Sequence, residues 1–374
     1  VLALLSASGL LLESFRRLLG QDLGYRPQAV LALDTSTPGF PTNGDVCRMF
    51  RALRERLMGL PGVTAVGTVS SVPLTGKWTI AERPNVVGRP LPEADRPVVE
   101  ASFVAFDYFQ AMGIALLEGR HFRDLEMDDD GYGRIVILNR SAARLLFPDR
   151  PAVGGQFTVG SNPDRILEVV GVVEDTRDVR LEETPRPRFY WQYPFGGAQV
   201  VIRSDVAPGV LLPRVLEVAA EVDSRLRILS ARTMGEIIAA TVAERRFVMV
   251  GLAAYAGLAL AIAAVGVFGV MTYQTAGRRR EFGVRLALGA TRAALTKLVL
   301  ADAMRLGLPG LGLGLVLTLA ASRMIQSQLF GLAAHDPVLL GGACVLLLGV
   351  TLLAVLLPAR RAGRVDPVEV LRSE

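Results

Sequence analysis

Few side chains in this sequence stand where they could do chemistry. Lys77, in TGKWT, follows a glycine, but no glycine lies five residues before Gly76, and Trp78 stands where a Ser or Thr would hold magnesium. A phosphate cradle of that kind is therefore excluded. The patterns HExxH, GxSxG and CxxC do not occur, and Asp128, Asp129 and Asp130 lack the spaced ligands of a calcium loop, so they are expected to be a solvated turn. His121 and His335 are too distant in sequence to suggest a local metal site, and Cys47 and Cys344 form no disulfide framework. No catalytic residue, metal site or directly bound cofactor is expected. What remains is charge in apolar surroundings: Asp302 and Arg305, three apart, and the stretch GRRREFGVRLALGATR at 277–292 with five arginines and one glutamate.

Those charges are held by long apolar elements. Phe247 to Gly277 is an uninterrupted run of 31 residues without an Asp, Glu, Lys, Arg or His, more than the roughly 20 needed to cross a bilayer. Leu306–Ser322, extended toward its N-terminal side by LTKLVLADAM, and Pro337–Ala359 are similar runs. They are apolar on every helical face, whereas a soluble helix of such length carries a polar stripe. Three spans are expected, at about 247–273, 297–322 and 337–358. The opening, VLALLSASGLLLESFRR, is read as the end (1–20) of a first span whose beginning is missing; a signal peptide is the competing reading, but a positive n-region is absent. Gly310 and Gly314, a GxxxG after Pro309, are expected to pack against another helix. Asp302 and Arg305 are explained by mutual pairing or by snorkelling rather than as a proton relay, which needs partners at depth.

Charge sets the orientation. The chain has a formal net charge of +5, and the loop from Gln274 to Lys297 alone carries six basic residues against Glu281. The tail 359–374 is also net positive. By the positive-inside rule both are cytoplasmic, and the polypeptide before the first complete span lies outside. Nucleic acid is excluded as a partner, since the basic charge is confined to two short segments and forms no groove on a soluble domain.

From 34 to 244 the composition is that of a mixed domain. VCRMFRALRERLMGLPG places Val46, Met49, Phe50, Leu53 and Leu57 on one helical face and stops at Gly59 and Pro61. Strands are expected in VTAVGTVSSVPL, VVEASFV, RIVILN, QFTVG, RILEVVGVVEDTR and VVIRS, and helices in FDYFQAMG, SAARLLF and LLPRVLEVAAEVDS. The fold class is thus an α-helical transmembrane bundle, three full spans plus an N-terminal partial span, with a large α+β extracytoplasmic domain, expected as two subdomains. RTMGEIIAATVAERR runs into the first complete span without a proline and is expected to be a continuous stalk.

The basic segment 278–289 reads as a short helix of its own. Arg278, Glu281 and Arg285 lie within about 60° on a helical wheel, with Phe282 and Leu286 beside them. Gly289 is placed as the residue after the helix and Thr291 as the cap of the next. Lipid headgroups account for the arginines but require neither Glu281 nor the glycines at 283 and 289, so docking in a protein groove is favoured over anchoring.

RREFGVRLALGA resembles the segment after the periplasmic domain in MacB-like and FtsX-like ABC transporter permeases. The tail LPARRAGRVDPVEVL, the stretches FDYFQAMGIALLEGRHF and RIVILNRSAARLLFP, and the entering segment GLLLESFRRLLGQDLGYRPQAVL are similar to theirs in the same order. The resemblance implies a four-span permease unit in a bacterial inner membrane, whose cytoplasmic helix docks on a separate ABC ATPase. Arg280, Glu281, Gly283, Arg285, Gly289 and Ala290 would form that coupling helix, and Arg360, Arg361, Asp366 and Pro367 a cytoplasmic tail motif, within a permease domain at 247–374. ATP would be used by the partner ATPase, and the outer domain would be moved mechanically. A second permease unit, as a homodimer or a fused preceding half, is implied, and a periplasmic adaptor with an outer-membrane channel would accompany an export role. A regulatory or signalling relative, which controls an envelope enzyme or senses a peptide, is the alternative reading.

Overall fold

The computed structural model describes residues 1–40, 42–76, 79–123, 133–160, 162–193, 197–325 and 337–362. The chain divides into two compact units, Gln21–Ala243 and the combination of Val1–Gly20 with Glu244–Glu374.

In the first unit, twelve strands among the described residues form one sheet. They are β1 (Val30–Ser36), β2 (Val63–Val69), β3 (Ile80–Glu82), β4 (Asn85–Val86), β5 (Val99–Phe106), β6 (Leu116–Gly119), β7 (Ile135–Asn139), β8 (Gln156–Val159), β9 (Asn162–Val173), β10 (Arg188–Gln192), β11 (Gln199–Ser204) and β12 (Arg227–Thr233). The order is β12-β1-β11-β2-β5-β10-β7-β9-β8-β4, with β3 on β5 and β6 on β9. β5/β10 and β7/β9 pair in parallel, the rest antiparallel. The sheet begins at Val30, four residues before the boundary expected at 34, because Leu31 and Leu33 are needed in the core.

Two hydrophobic clusters sit on this continuous sheet. Helix α2 (Asn43–Met58) opens with a capping box, in which the Asp45 N–H donates to the Thr42 hydroxyl and the Thr42 N–H to the Asp45 carboxylate. Its apolar face, Val46, Met49, Phe50, Leu53 and Leu57, packs with Leu31, Leu33, Val200 and Ile202 and with Leu211, Val215 and Ala219 of α5 (Pro208–Val222). The second cluster joins β5, β7, β8, β9 and β10 to α4 (Arg140–Leu146) through Phe103, Val136, Leu138, Leu146, Phe157 and Phe189. Short α3 (Tyr108–Met112) sits so close to β2 that a Cβ on Gly67 would stand 2.4 Å from the Tyr108 backbone, which leaves glycine as the residue that fits.

A charged cluster with no counterpart in the sequence reading is buried near these strands. The Arg188 guanidinium, 4% exposed, pairs with Glu100 and, at 3.1 Å, with Asp178, and donates to the Ser102 hydroxyl. Arg186 holds the second oxygen of Glu100 at 3.0 Å. Burial pushes the Asp178 carboxyl up, and Arg188 opposes that shift.

The second unit contains α1 (Leu2–Leu19), α7 (Arg279–Ala287), α8 (Arg292–Ile325) and α9 (Pro337–Ala362), with most of α6 (Met234–Gly277). Among the described residues three helices, α6, α8 and α9, are long and apolar enough to cross a membrane. α6 is one helix of 44 residues, about 66 Å at 1.5 Å per residue. α1 packs on α8 and α9, with Leu2 against Gly314 and Gly9 against Leu339.

Replacing Arg188 by Met keeps the volume but leaves two buried carboxylates without their shared cation. The outer unit is expected to lose roughly 3–5 kcal/mol in denaturant unfolding; a loss below about 1 kcal/mol would show that the cluster is not a determinant of stability.

Candidate functional site

The site is the short helix α7 and the base of the bundle around it. α6 ends at Gly277, and the single residue Arg278 separates it from α7. At the other end Gly289 takes φ +94°, its N–H donates to the Leu286 carbonyl, and the Ala290 N–H donates to that of Arg285. This double closure is a Schellman turn, which an L side chain at 289 would strain. Thr291 then caps α8, its hydroxyl accepting from the Ala294 N–H at 3.3 Å. The chain therefore stops one helix and starts another within four residues.

Phe282 holds α7 in place. It is 1% exposed and lies among Met271 of α6, Leu295, Val299 and Ala303 of α8, and Val355 and Ala359 of α9, with Leu286 at the edge. Such burial of a phenylalanine is worth about 1.5–3 kcal/mol. Gly283 is also buried.

A chain of charges continues from this apolar contact. Arg278 donates to both oxygens of Glu281, at 2.7 and 3.0 Å, and to Asp302 of α8 at 2.7 Å. Arg285 joins Glu281 from the other side at 2.7 Å. The Arg278 guanidinium also lies 5.5 Å from the centroid of the Phe282 ring. Hydrogen bonds from Arg278 hold the Glu281 carboxyl below the usual carboxylate range, and those to Glu281 and then Asp302 raise Arg278 in turn. Arg278 and Glu281 therefore stay ionised at neutral pH.

Asp302 has a closer partner than the sequence reading gave it. Arg305 stands 3.9 Å away and is largely exposed, whereas Arg278, on a different element, is the close partner. The spacing of three suggested a pair within α8; the turn between α6 and α7 brings the stronger donor.

The face of α7 turned away from the bundle is different. Arg279 and Arg280 are exposed, and so are Val284 at 42% and Leu288 at 82%. Arg280, Val284 and Leu288 are spaced by four and form one ridge. Of the residues named from the sequence, Arg280 and Gly289 are on exposed backbone, Ala290 is partly covered, Glu281 and Arg285 belong to the charge chain, and Gly283 faces inward. Val284 and Leu288 were not singled out, although two exposed apolar residues one turn apart on a charged helix were legible as a signal.

Gly314 lies against α1, since a Cβ there would meet Leu2 at 3.4 Å; one at Gly310 would meet nothing within 4 Å among the described residues. Arg360 is exposed near the end of α9, Arg361 is in the same helix, and Asp366 and Pro367 lie outside the described residues.

A large α+β unit with three apolar spans and an extracytoplasmic domain is the make-up of a multi-pass membrane permease. The chain belongs to the MacB-like and FtsX-like ABC permease family: residues 2–211 match the family model described as MacB-like periplasmic core domain and residues 253–367 that described as FtsX-like permease C-terminal. It is 30% identical over 287 residues to a protein of Agrobacterium fabrum strain C58 named macrolide export ATP-binding/permease protein MacB, covering 72% of this chain and 42% of that one. The protein of that name from Escherichia coli strain K12 is 29% identical over 290 residues, 73% of this chain and 43% of that one. The chain thus spans about two fifths of the length of these relatives. The crystallised periplasmic region of MacB from Actinobacillus actinomycetemcomitans aligns at 16% identity over 59% of this chain and 95% of that one, with a TM-score of 0.38, too low to bear on the fold.

Removing Asp302 as Asp302→Ala takes one anchor from Arg278. A half-exposed pair of this kind contributes about 0.5–1 kcal/mol, so trypsin cleavage after Arg279 and Arg280 in nanodiscs, which leave both membrane faces open, is expected to quicken about 2- to 5-fold. Asp302→Glu, which keeps a carboxylate for Arg278, should hold the slow rate; an unchanged rate in Asp302→Ala would remove the charge chain from the account.

Proposed function

We propose that this chain is the membrane unit of an ATP-driven export or mechanotransmission complex, and that α7 is the helix on which a separate cytoplasmic ATPase acts. The observation that carries the proposal is the two-sidedness of α7. Phe282 and the charge chain fix one side to the spans, while the opposite side offers Arg280, Val284 and Leu288. A helix needed only to turn the chain gains nothing from an outward Leu288.

The excess of arginine in this loop supports a cytoplasmic position for α7, and the tail after α9 follows it there. These 374 residues hold no GxxxxGK[ST], so the nucleotide site is assigned outside them. The force path is mechanical: α7 is pinned to α8 and α9, and α6 runs as one helix from Met234 past its apolar run. A rigid helix of that kind transmits displacement that a flexible linker would absorb. The names of the relatives support ABC-type export as the context; the substrate is not assigned.

The test is Leu288→Glu, which leaves the buried side of α7 untouched. Copurification of ATPase activity with the solubilised chain is expected to fall at least about 10-fold, as for loss of an apolar interface anchor, while membrane insertion is unchanged. Full retention of the ATPase in that variant and in Val284→Asp would refute docking on this ridge.

A further inference from the structure

The outer unit contains a cavity that the coupling role does not use. Leu31, Leu33, Val200 and Ile202 point into the core formed with α2 and α5. By the alternation of a strand, Ala32, Asp34 and Gln199 point to the other side of the sheet. The register places Ser230 of β12 opposite Asp34, Asp34 opposite Gln199 of β11, and Arg232 opposite Ala32. A row of polar side chains therefore crosses three strands on one face. The first two turns of α6 and the loop at Leu74 wall off a space of about 370 Å³ over this row, within the size range of small-molecule sites.

Two of these polar groups, Gln199 and Arg232, keep donors that nothing among the described residues takes up. Gln199 is 5% exposed, and its carbonyl oxygen accepts from the Val72 N–H at 2.6 Å. That bond commits the oxygen and leaves the NH₂ as the end available to a ligand; among the described residues it makes no hydrogen bond. Arg232 is exposed at the rim and forms no ion pair among the described residues. Asp34 already has a partner, and its carboxylate, with about four acceptor sites, takes a further donor on the β1 wall. Ala32, Leu74, Ile237 and Ala240 make the rest of the lining apolar. Leu74 holds φ +67°, a conformation that bulky L residues rarely adopt and that tends to occur at ligand clamps.

We infer that this cavity binds a small amphipathic molecule that carries a carboxylate next to an amide N–H and an apolar side chain. The Gln199 NH₂ and the Arg232 guanidinium take the carboxylate, Asp34 accepts from the N–H, and the side chain lies on Ala32, Ile237 and Ala240. An N-acyl amino acid and the C-terminal residue of a short peptide share this chemistry. Because Ile237 and Ala240 belong to α6, the bound molecule rests directly on the helix that continues into the first complete span.

The test is calorimetric titration of the full chain in lipid nanodiscs, against empty nanodiscs, with N-acetyl-leucine, N-acetyl-leucinamide and the tripeptide Ala-Ala-Leu bearing a free carboxylate. At least one of the two acids is expected to bind saturably at one site per chain. The amide, and the acids on Arg232→Ala, should bind about 10-fold more weakly or less, as for a lost charge-assisted hydrogen bond. Ala240→Trp, which fills the space from an exposed helix position, should abolish binding. Binding of N-acetyl-leucine identifies a free small acid as sufficient, and binding of the tripeptide alone a peptide end; both support the site. No saturable heat from either acid, or binding that Arg232→Ala and Ala240→Trp leave unchanged, overturns it.

Discussion

The arrangement at the base of the bundle depends on one guanidinium. Arg278 sits at the point where α6 ends, and it reaches forward to Glu281 of α7 and across to Asp302 of α8. Phe282, under the same guanidinium, carries the apolar half of the contact into α6, α8 and α9. Neither part would suffice alone. The ion pairs are half-exposed and individually weak, and a single buried phenylalanine fixes position better than rotation. Together they set which side of a nine-residue helix faces the spans, and so which side is left for a partner.

That division changes the meaning of the charges. A lipid surface does not call for an acid such as Glu281, and the contacts this one makes are within the chain. Glu281 orients Arg278 and Arg285, and the outward surface is made by residues that carry less obvious chemistry. Leu288 is 82% exposed beside a glycine turn, an unfavourable place for a leucine unless something covers it.

Much of the architecture was legible because it rests on local rules. The face of α2, the stop at Gly289, the cap at Thr291 and the unbroken α6 follow from periodicity and terminal chemistry, which act over a few residues. The parts that were not legible depend on long-range pairing. β10, RFYWQ, is buried at every position and shows no alternation, so its sequence reads as neither half-buried strand nor helix. Arg188 within it looks like a surface residue until β5 supplies Glu100. The closer partner of Asp302 was not legible for the same reason: spacing finds neighbours on one helix, whereas Arg278 comes from another element. The polar row at Asp34, Gln199 and Ser230 likewise exists only once β1, β11 and β12 are in register.

The central claim is that the exposed ridge of α7 meets an ATPase. The direct measurement is photo-crosslinking in native membranes from a benzophenone side chain placed at Leu288, compared with one at Val316, which is 63% exposed on the apolar α8. The account predicts a covalent adduct with an ATP-binding subunit from position 288 and lipid adducts alone from position 316. Lipid adducts alone from both positions would contradict it, and α7 would then be an anchor at the membrane surface.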